Sequence, residues 1–202
     1  MEITCLTEEA DVFTGHVYLA AGESRTLVDA GAMPGIVEAV RNRVTDLDSI
    51  VVTHGHDDHV ERLPALREAF APTVYAASEG DRTEPLSDGM DVSIGGKTFE
   101  AVATPGHAPD HFAFVGEKAV FSGDIVVYSD GAYDDGSFGR TDIPGADRET
   151  LVESLDRLLD RLPSSVRALY PGHGPSFEGD VRAVIERARD RAARGEPKYP
   201  ED

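Results

Sequence analysis

Hydrophobic and polar positions change period several times along the chain, and each change marks an element. Val12 to Ala20 and Thr26 to Asp29 read as two short strands joined by a turn at Ala21-Gly22-Glu23, the second running into Ala30-Gly31. Behind Pro34, a residue suited to a first helical turn, Ile36, Val37 and Val40 share one face, which predicts a helix over Pro34 to Arg43. The apolar run Ile50-Val51-Val52 predicts a buried strand ending at His54, where a glycine and two aspartates break the pattern. A short helix is expected from Pro64 to Phe70.

Four further strands are expected at Thr73 to Ala76, Thr98 to Ala103, Phe112 to Val115 and Ala119 to Phe121, each bounded by Gly, Pro or Asp. Leu151, Val152, Leu155, Leu158 and Leu159 make one helical face over Arg148 to Leu162. Val166 to Tyr170 is a last strand before Pro171-Gly172-His173-Gly174, Val181 to Arg194 a closing helix, and Gly195 to Asp202 a polar, proline-containing tail expected to fray. Strands interspersed with helices predict an α/β fold, sheet layered with helices on its outer faces. No repeat or linker interrupts the chain, and its 202 residues fit one domain spanning 1–202.

Charge changes this picture more than composition does. The net charge is −19, from 38 acidic against 19 basic residues, and only Lys97, Lys118 and Lys198 are lysines. Such an acid-rich, lysine-poor makeup resembles proteins of salt-loving archaea, in which molar salt screens self-repulsion to within roughly 3 Å. The competing explanation is an acidic protein with a basic partner. In either case no basic stripe offers itself to nucleic acid. Cys5 is the single cysteine and has no internal disulfide partner. With no apolar run near the ~20 residues that span a bilayer and no signal-peptide pattern, a cytoplasmic, membrane-free chain is expected.

The chemistry concentrates in Thr53-His54-Gly55-His56-Asp57-Asp58-His59, four potential ligands in six residues directly after an apolar strand. Side chains two apart on a helix point about 200° from each other, so the segment is expected to be a loop, turning His54 and His56 to one point and Asp58 and His59 to a neighbouring one. A polar turn that merely happens to be rich in histidine is a poor alternative, because the whole chain has 7 histidines and three of them lie here. His107 in Thr104-Pro105-Gly106-His107, Asp124 in Ser122-Gly123-Asp124 and His173 also come directly after predicted strands. Asp57 is either a ligand-orienting residue or a solvent-facing turn aspartate. His111 and His16 read first as hydrogen-bonded structural histidines.

The succession His-x-His-x-Asp-His, Pro-Gly-His, Gly-Asp and late Gly-His-Gly, from Val12 to about Arg194, resembles the metallo-β-lactamase superfamily. The resemblance implies a four-layer αβ/βα sandwich with metals at the shared edge of two sheets. It makes His54, His56 and His107 ligands of a first metal and Asp58, His59 and His173 ligands of a second, with Asp124 bridging. Asp58 is in addition the expected catalytic carboxylate. Two divalent metal ions are implied, zinc first, with iron and manganese compatible with the same donors. Such ions lower the pKa of bound water from about 15.7 to roughly 7 and can share a hydroxide between them.

Gly136-Ser137-Phe138-Gly139-Arg140-Thr141-Asp142 narrows the branch, since it is similar to the Gly-Arg-Thr-Asp segment of short glyoxalase II-like proteins and of persulfide dioxygenases. The leading expectation is a glyoxalase II-like thioester hydrolase, of the hydroxyacylglutathione hydrolase type, acting on a small-molecule thioester. Its rivals are a persulfide dioxygenase with a single iron, a lactonase using Tyr128 or Tyr133, and a metal-binding sensor or scaffold without catalysis. Arg140 and Asp142 either pair to fix a loop or meet substrate. The basic helical domain that serves glutathione in full-length glyoxalase II is not seen here, and the loop from Tyr128 to Asp135 is expected to shape the substrate pocket.

Overall fold

The computed structural model describes residues 1–77 and 83–198. It is a layered α/β fold with two mixed six-stranded sheets flanked by helices, and the chain gathers into two compact units, residues 1–99 and 100–202.

The first unit runs β1 (Glu2–Cys5), β2 (Tyr18–Ala21), β3 (Arg25–Val28), α1 (Ile36–Arg41), β4 (Ser49–Val51), α2 (Asp57–Val60), α3 (Leu63–Phe70), β5 (Thr73–Ala76), β6 (Thr83–Pro85) and β7 (Met90–Ile94). Its sheet has the order β1-β2-β3-β4-β5-β6. The hairpin of β2 and β3 pairs Tyr18 with Val28 and Ala21 with Arg25. From β3 onward the strands are parallel, so the chain must cross over between them. The crossovers are α1 and then α2 with α3, which bring Ile36, Val40 and Leu66 onto Leu27, Ile50 and Val74 to make the core. At about 1.5–3 kcal/mol for each large apolar side chain buried, this face holds the helices far more firmly than their short length could.

Three expectations need correction in this unit. The first strand starts at Tyr18 and not at Val12, and a polar edge strand, β1, precedes it. Residues 12–17 are tied to other segments: Gly15 N–H donates to the Asp58 carbonyl at 2.9 Å, and the Thr14 hydroxyl accepts Ala32 N–H at 2.8 Å. Pro34 lies outside α1, since Gly35 in the left-handed region, at φ 86°, caps the helix start. The ligand-rich segment is a loop only as far as His56, and Asp57 to Val60 close one helical turn.

The second unit comprises β8 (Lys97–Ala103), which begins just before it, β9 (Phe112–Gly116), β10 (Ala119–Gly123), β11 (Val126–Val127), β12 (Ser137–Phe138), α4 (Arg148–Arg161), β13 (Ala168–Pro171), β14 (Phe177–Glu178) and α5 (Val181–Ala193). The second sheet has the order β14-β13-β10-β9-β8-β7, and β11 pairs with β12 apart from it. Hairpin β9–β10 is antiparallel, whereas β10 and β13 are parallel and joined through α4. Asp147 accepts Thr150 N–H at 2.7 Å to start α4, and Asp180 accepts Ala183 N–H at 3.2 Å to start α5. The helices bury Leu151, Leu155, Leu158, Val184, Ile185 and Ala188 with Val120, Phe138 and Leu169.

The tail from Gly195 makes contacts with the rest of the second unit as far as Lys198. Arg148 donates to the Glu196 carbonyl at 2.6 Å, Tyr133 Oη–H donates to the Pro197 carbonyl at 2.8 Å, and Lys198 is buried. Residues 199–202 of that tail lie outside the described residues.

Candidate metal centre

Strand β4, buried along its whole length, delivers Thr53 and His54 to the end of the first sheet. One buried carboxylate organises the ligand-rich segment there. Asp29, just after β3, has φ 63°, a left-handed conformation that aspartate tolerates better than most residues. From there Oδ1 accepts Thr53 N–H at 2.7 Å, while Oδ2 accepts Thr53 Oγ1–H at 2.8 Å and His59 Nδ1–H at 2.8 Å. Because the Thr53 hydroxyl spends its proton on Asp29, it accepts from His54 Nδ1, 3.0 Å away. Both rings therefore carry their proton on Nδ1, which leaves Nε2 as the nitrogen that can ligate a cation.

His54 Nε2 lies 3.1 Å from His56 Nδ1, and His59 Nε2 lies 3.6 Å from Asp58 Oδ2. The His59 carbonyl accepts from Ala30 and Gly31 N–H, each at 2.8 Å. Gly15 passes so close to the ring that a Cβ there would stand 2.6 Å from His59 Cε1, a contact only glycine avoids. Asp57 is exposed on the first turn of α2.

In the second unit the ligands come from three separated loops. His107 comes after β8, and its Nδ1 donates to the Arg140 carbonyl at 3.0 Å, turning Nε2 towards Asp124 Oδ2 at 3.4 Å. Asp124 stands just past the register shift at the end of β10. Its N–H donates to His111 Nε2 at 3.0 Å, which leaves His111 Nδ1–H to donate to Thr104 Oγ1 at 2.8 Å. His111 is thus a structural histidine that holds the backbone of Asp124. His173, after β13, places Nε2 3.4 Å from Asp124 Oδ2.

Among the described residues three ligand groups form, each with one donor atom per residue and all atoms within 4.8 Å of one another. They are His54, His56 and His107; Asp58, His59 and His173; and His54, His59 and Asp124. All seven candidate ligands fall into these groups. The donors are imidazole nitrogens and carboxylate oxygens, a set that fits a pair of divalent cations and, unlike four thiolates, leaves coordination positions for water.

The other candidates lie in different surroundings. Arg140 and Asp142 pair at 2.8 Å on the surface, and the Arg140 carbonyl accepts from His107 Nδ1. Tyr128 stacks on Phe177 at 4.3 Å. His16 Nδ1 is 3.3 Å from Cys5 Sγ. Burial raises the pKa of that thiol, but His16 and Thr7 outweigh it and hold the value below the ordinary thiol range. Sequence reasoning missed Asp29 and Gly139 as supports. Their signals were an acid closing an apolar strand and a glycine where no turn was needed.

Comparison with known proteins agrees with this geometry. Residues 10–85 match the family model described as the metallo-beta-lactamase superfamily. The chain is 28% identical to an atrochrysone carboxyl ACP thioesterase of Aspergillus fumigatus over 91% of its own length and 57% of that protein. It is 28% identical to the hydroxyacylglutathione hydrolase GloC of Haemophilus influenzae, over 75% of this chain and 81% of that one. The crystal structure of TTHA1623 in a di-iron-bound form superposes with a TM-score of 0.72 at 28% identity, over 93% of this chain and 98% of that one. The chain spans about half the length of the first curated relatives it matches, from 40% to 62%. No helix among the described residues is long and apolar enough to cross a membrane. With two clustered sets of candidate metal ligands in a layered α/β fold, the chain is similar to proteins of the metallo-beta-lactamase superfamily.

Proposed function

We propose that the chain is a metal-dependent hydrolase of the glyoxalase II-like kind, cleaving a small-molecule thioester with two divalent cations, zinc being the expected metal. The observation that carries this is the set of three candidate ligand groups, in which His54, His59 and His107 each have Nδ1 engaged, so that Nε2 is the nitrogen that could serve a cation. His54, His56 and His107 would hold one ion and Asp58, His59 and His173 the other. Asp124, grouped with a histidine from each trio, would bridge them.

When bound, the cations supply a water activated near neutral pH and positive charge for the developing oxyanion. The protein contributes the rest. Asp29 and Thr53 orient two imidazoles, as the Arg140 carbonyl does for His107. Asp58, partly exposed on α2, would be the catalytic carboxylate, taking a proton from water. No serine or cysteine nucleophile enters this scheme. The thioester class draws support from two similar proteins whose names specify cleavage of such bonds, an acyl-carrier thioesterase and a hydroxyacylglutathione hydrolase.

Elemental analysis of purified protein, followed by a panel of S-lactoyl thioesters, lactones and persulfides, tests the reading. Two equivalents of a divalent metal and turnover of the thioesters are expected. A single iron with oxygen uptake on persulfides would refute it. So would full metal loading without hydrolysis of any thioester.

A further inference from the structure

Of the three lysines, Lys97 and Lys118 are exposed, whereas Lys198 keeps only 7% of its surface. Withdrawing an ammonium from water costs several kcal/mol unless it is paired and hydrogen-bonded, so a buried lysine in so acidic a chain calls for a reason. Lys198 Nζ donates to Asp130 Oδ2 and, at 2.8 Å, to Ser137 Oγ, and it stands 5.6 Å from the centre of the Phe138 ring. Ser137 Oγ–H in turn donates to Asp130 Oδ2 at 2.9 Å, while Asp130 Oδ1 accepts Ala132 N–H at 3.0 Å. One ammonium thereby ties together the two ends of the 130–137 segment. Burial lowers the pKa of Lys198, while Asp130 and, through space, Asp124 favour the charged form.

The residues immediately after Ser137 give this latch its consequence. Strand β12 pairs Phe138 with Val126 and Ser137 with Val127, and Gly139 then runs against the ligand residues. A Cβ at Gly139 would lie 2.1 Å from the Asp124 carbonyl oxygen and 3.0 Å from His107 Cβ. The next carbonyl, that of Arg140, is the acceptor for His107 Nδ1. Arg187 and Arg191 of α5 already anchor the other part of the segment at Asp135. Lys198 acts at the end that leads directly into Gly139.

We propose that Lys198 is a positioning residue for the metal centre, latching Asp130 and Ser137 so that Gly139 and the Arg140 carbonyl stay seated on Asp124 and His107. This rests on the metal-centre reading above. Loss of an outer partner of a metal ligand typically weakens metal binding about 10–100-fold, which sets the size of the effect.

The test uses the full chain, with zinc affinity measured by competition against a chromophoric chelator and Tm measured alongside. Lys198→Met leaves Asp130 buried without its cation, so the Lys198→Met/Asp130→Asn double variant separates charge burial from positioning. Arg189→Ala, which removes the surface pair with Asp156, serves as a control. The latch predicts about 10–100-fold weaker binding of at least one zinc in both Lys198 variants, with the double variant regaining Tm but not affinity. Arg189→Ala should bind as the wild type does. Wild-type affinity in the double variant would overturn the proposal, as would an equal loss in Arg189→Ala. A wild-type chain that takes up no zinc overturns the metal-centre reading itself, and the latch with it.

Discussion

The two sets of ligands are held in opposite ways. His54, His56, Asp58 and His59 come from one short run of sequence, and a single carboxylate, Asp29, makes three hydrogen bonds that orient two of the rings. His107, Asp124 and His173 come from three loops, and the first two have different supports. The Arg140 carbonyl holds His107, His111 holds the Asp124 backbone, and Gly139 allows the chain to pass against both ligands. A compact ligand cluster can depend on one brace. Dispersed ligands need several, and most of those are backbone groups.

The ligands themselves break this comparison most severely, because loss of an outer partner already costs about 10–100-fold. Asp124→Ala and His56→Ala should each lower kcat/KM by more than about 100-fold with the fold retained, as circular dichroism would show. They should differ in metal content. Asp124 groups with a histidine from each trio, whereas His56 groups only with members of its own. Asp124→Ala should therefore weaken both ions, and His56→Ala mainly one. Near-normal turnover in either variant would contradict the ligand assignment.

Asp29→Asn is the next largest effect and bears on the single brace. The amide oxygen can still accept from Thr53 N–H, but the NH2 that replaces Oδ2 can accept neither Thr53 Oγ1–H nor His59 Nδ1–H. Metal affinity should fall about 10–100-fold, and the loss should centre on the ion that His59 serves. Unchanged affinity at both ions would mean that Asp29 does not orient the two rings.

This contrast also explains what the sequence could disclose. The cluster after Ile50-Val51-Val52 was legible because apolar strand and donors are contiguous, and His107, Asp124 and His173 because each stands at the end of a strand of recognisable pattern. The helices α3, α4 and α5 stand close to their expected spans, since a buried face repeats along them. Asp29 was hidden by the 30 residues that separate it from His59. The Arg140 carbonyl carries no side-chain signature, and its partner His107 lies 33 residues away. Strands β11, β12 and β14, of two residues each, exist only by virtue of their neighbours. The helical turn at Asp57 to Val60 escaped because His56, without a side-chain capping bond, gives no start signal.

The smallest effect is expected where side chain and backbone of one segment part company. The hydrogen bond from Arg140 holds the Asp142 carboxyl at about 2, below its ordinary 3.8. A carboxylate so depressed adds stability that is fully present above the ordinary value and is lost as pH falls through about 2. The pair is exposed, so screening keeps its worth within about 0–1 kcal/mol. Asp142→Asn should accordingly lower Tm by no more than about 4 °C at neutral pH, the difference from wild type should vanish as pH falls towards 2, and kcat/KM should be unchanged. Were Asp142→Asn instead to cost activity on the scale of Asp124→Ala, the Arg140–Asp142 pair would belong among the groups that meet substrate. The contribution of the 139–142 segment would then lie in its side chains as well as in the backbone that seats His107 and Asp124.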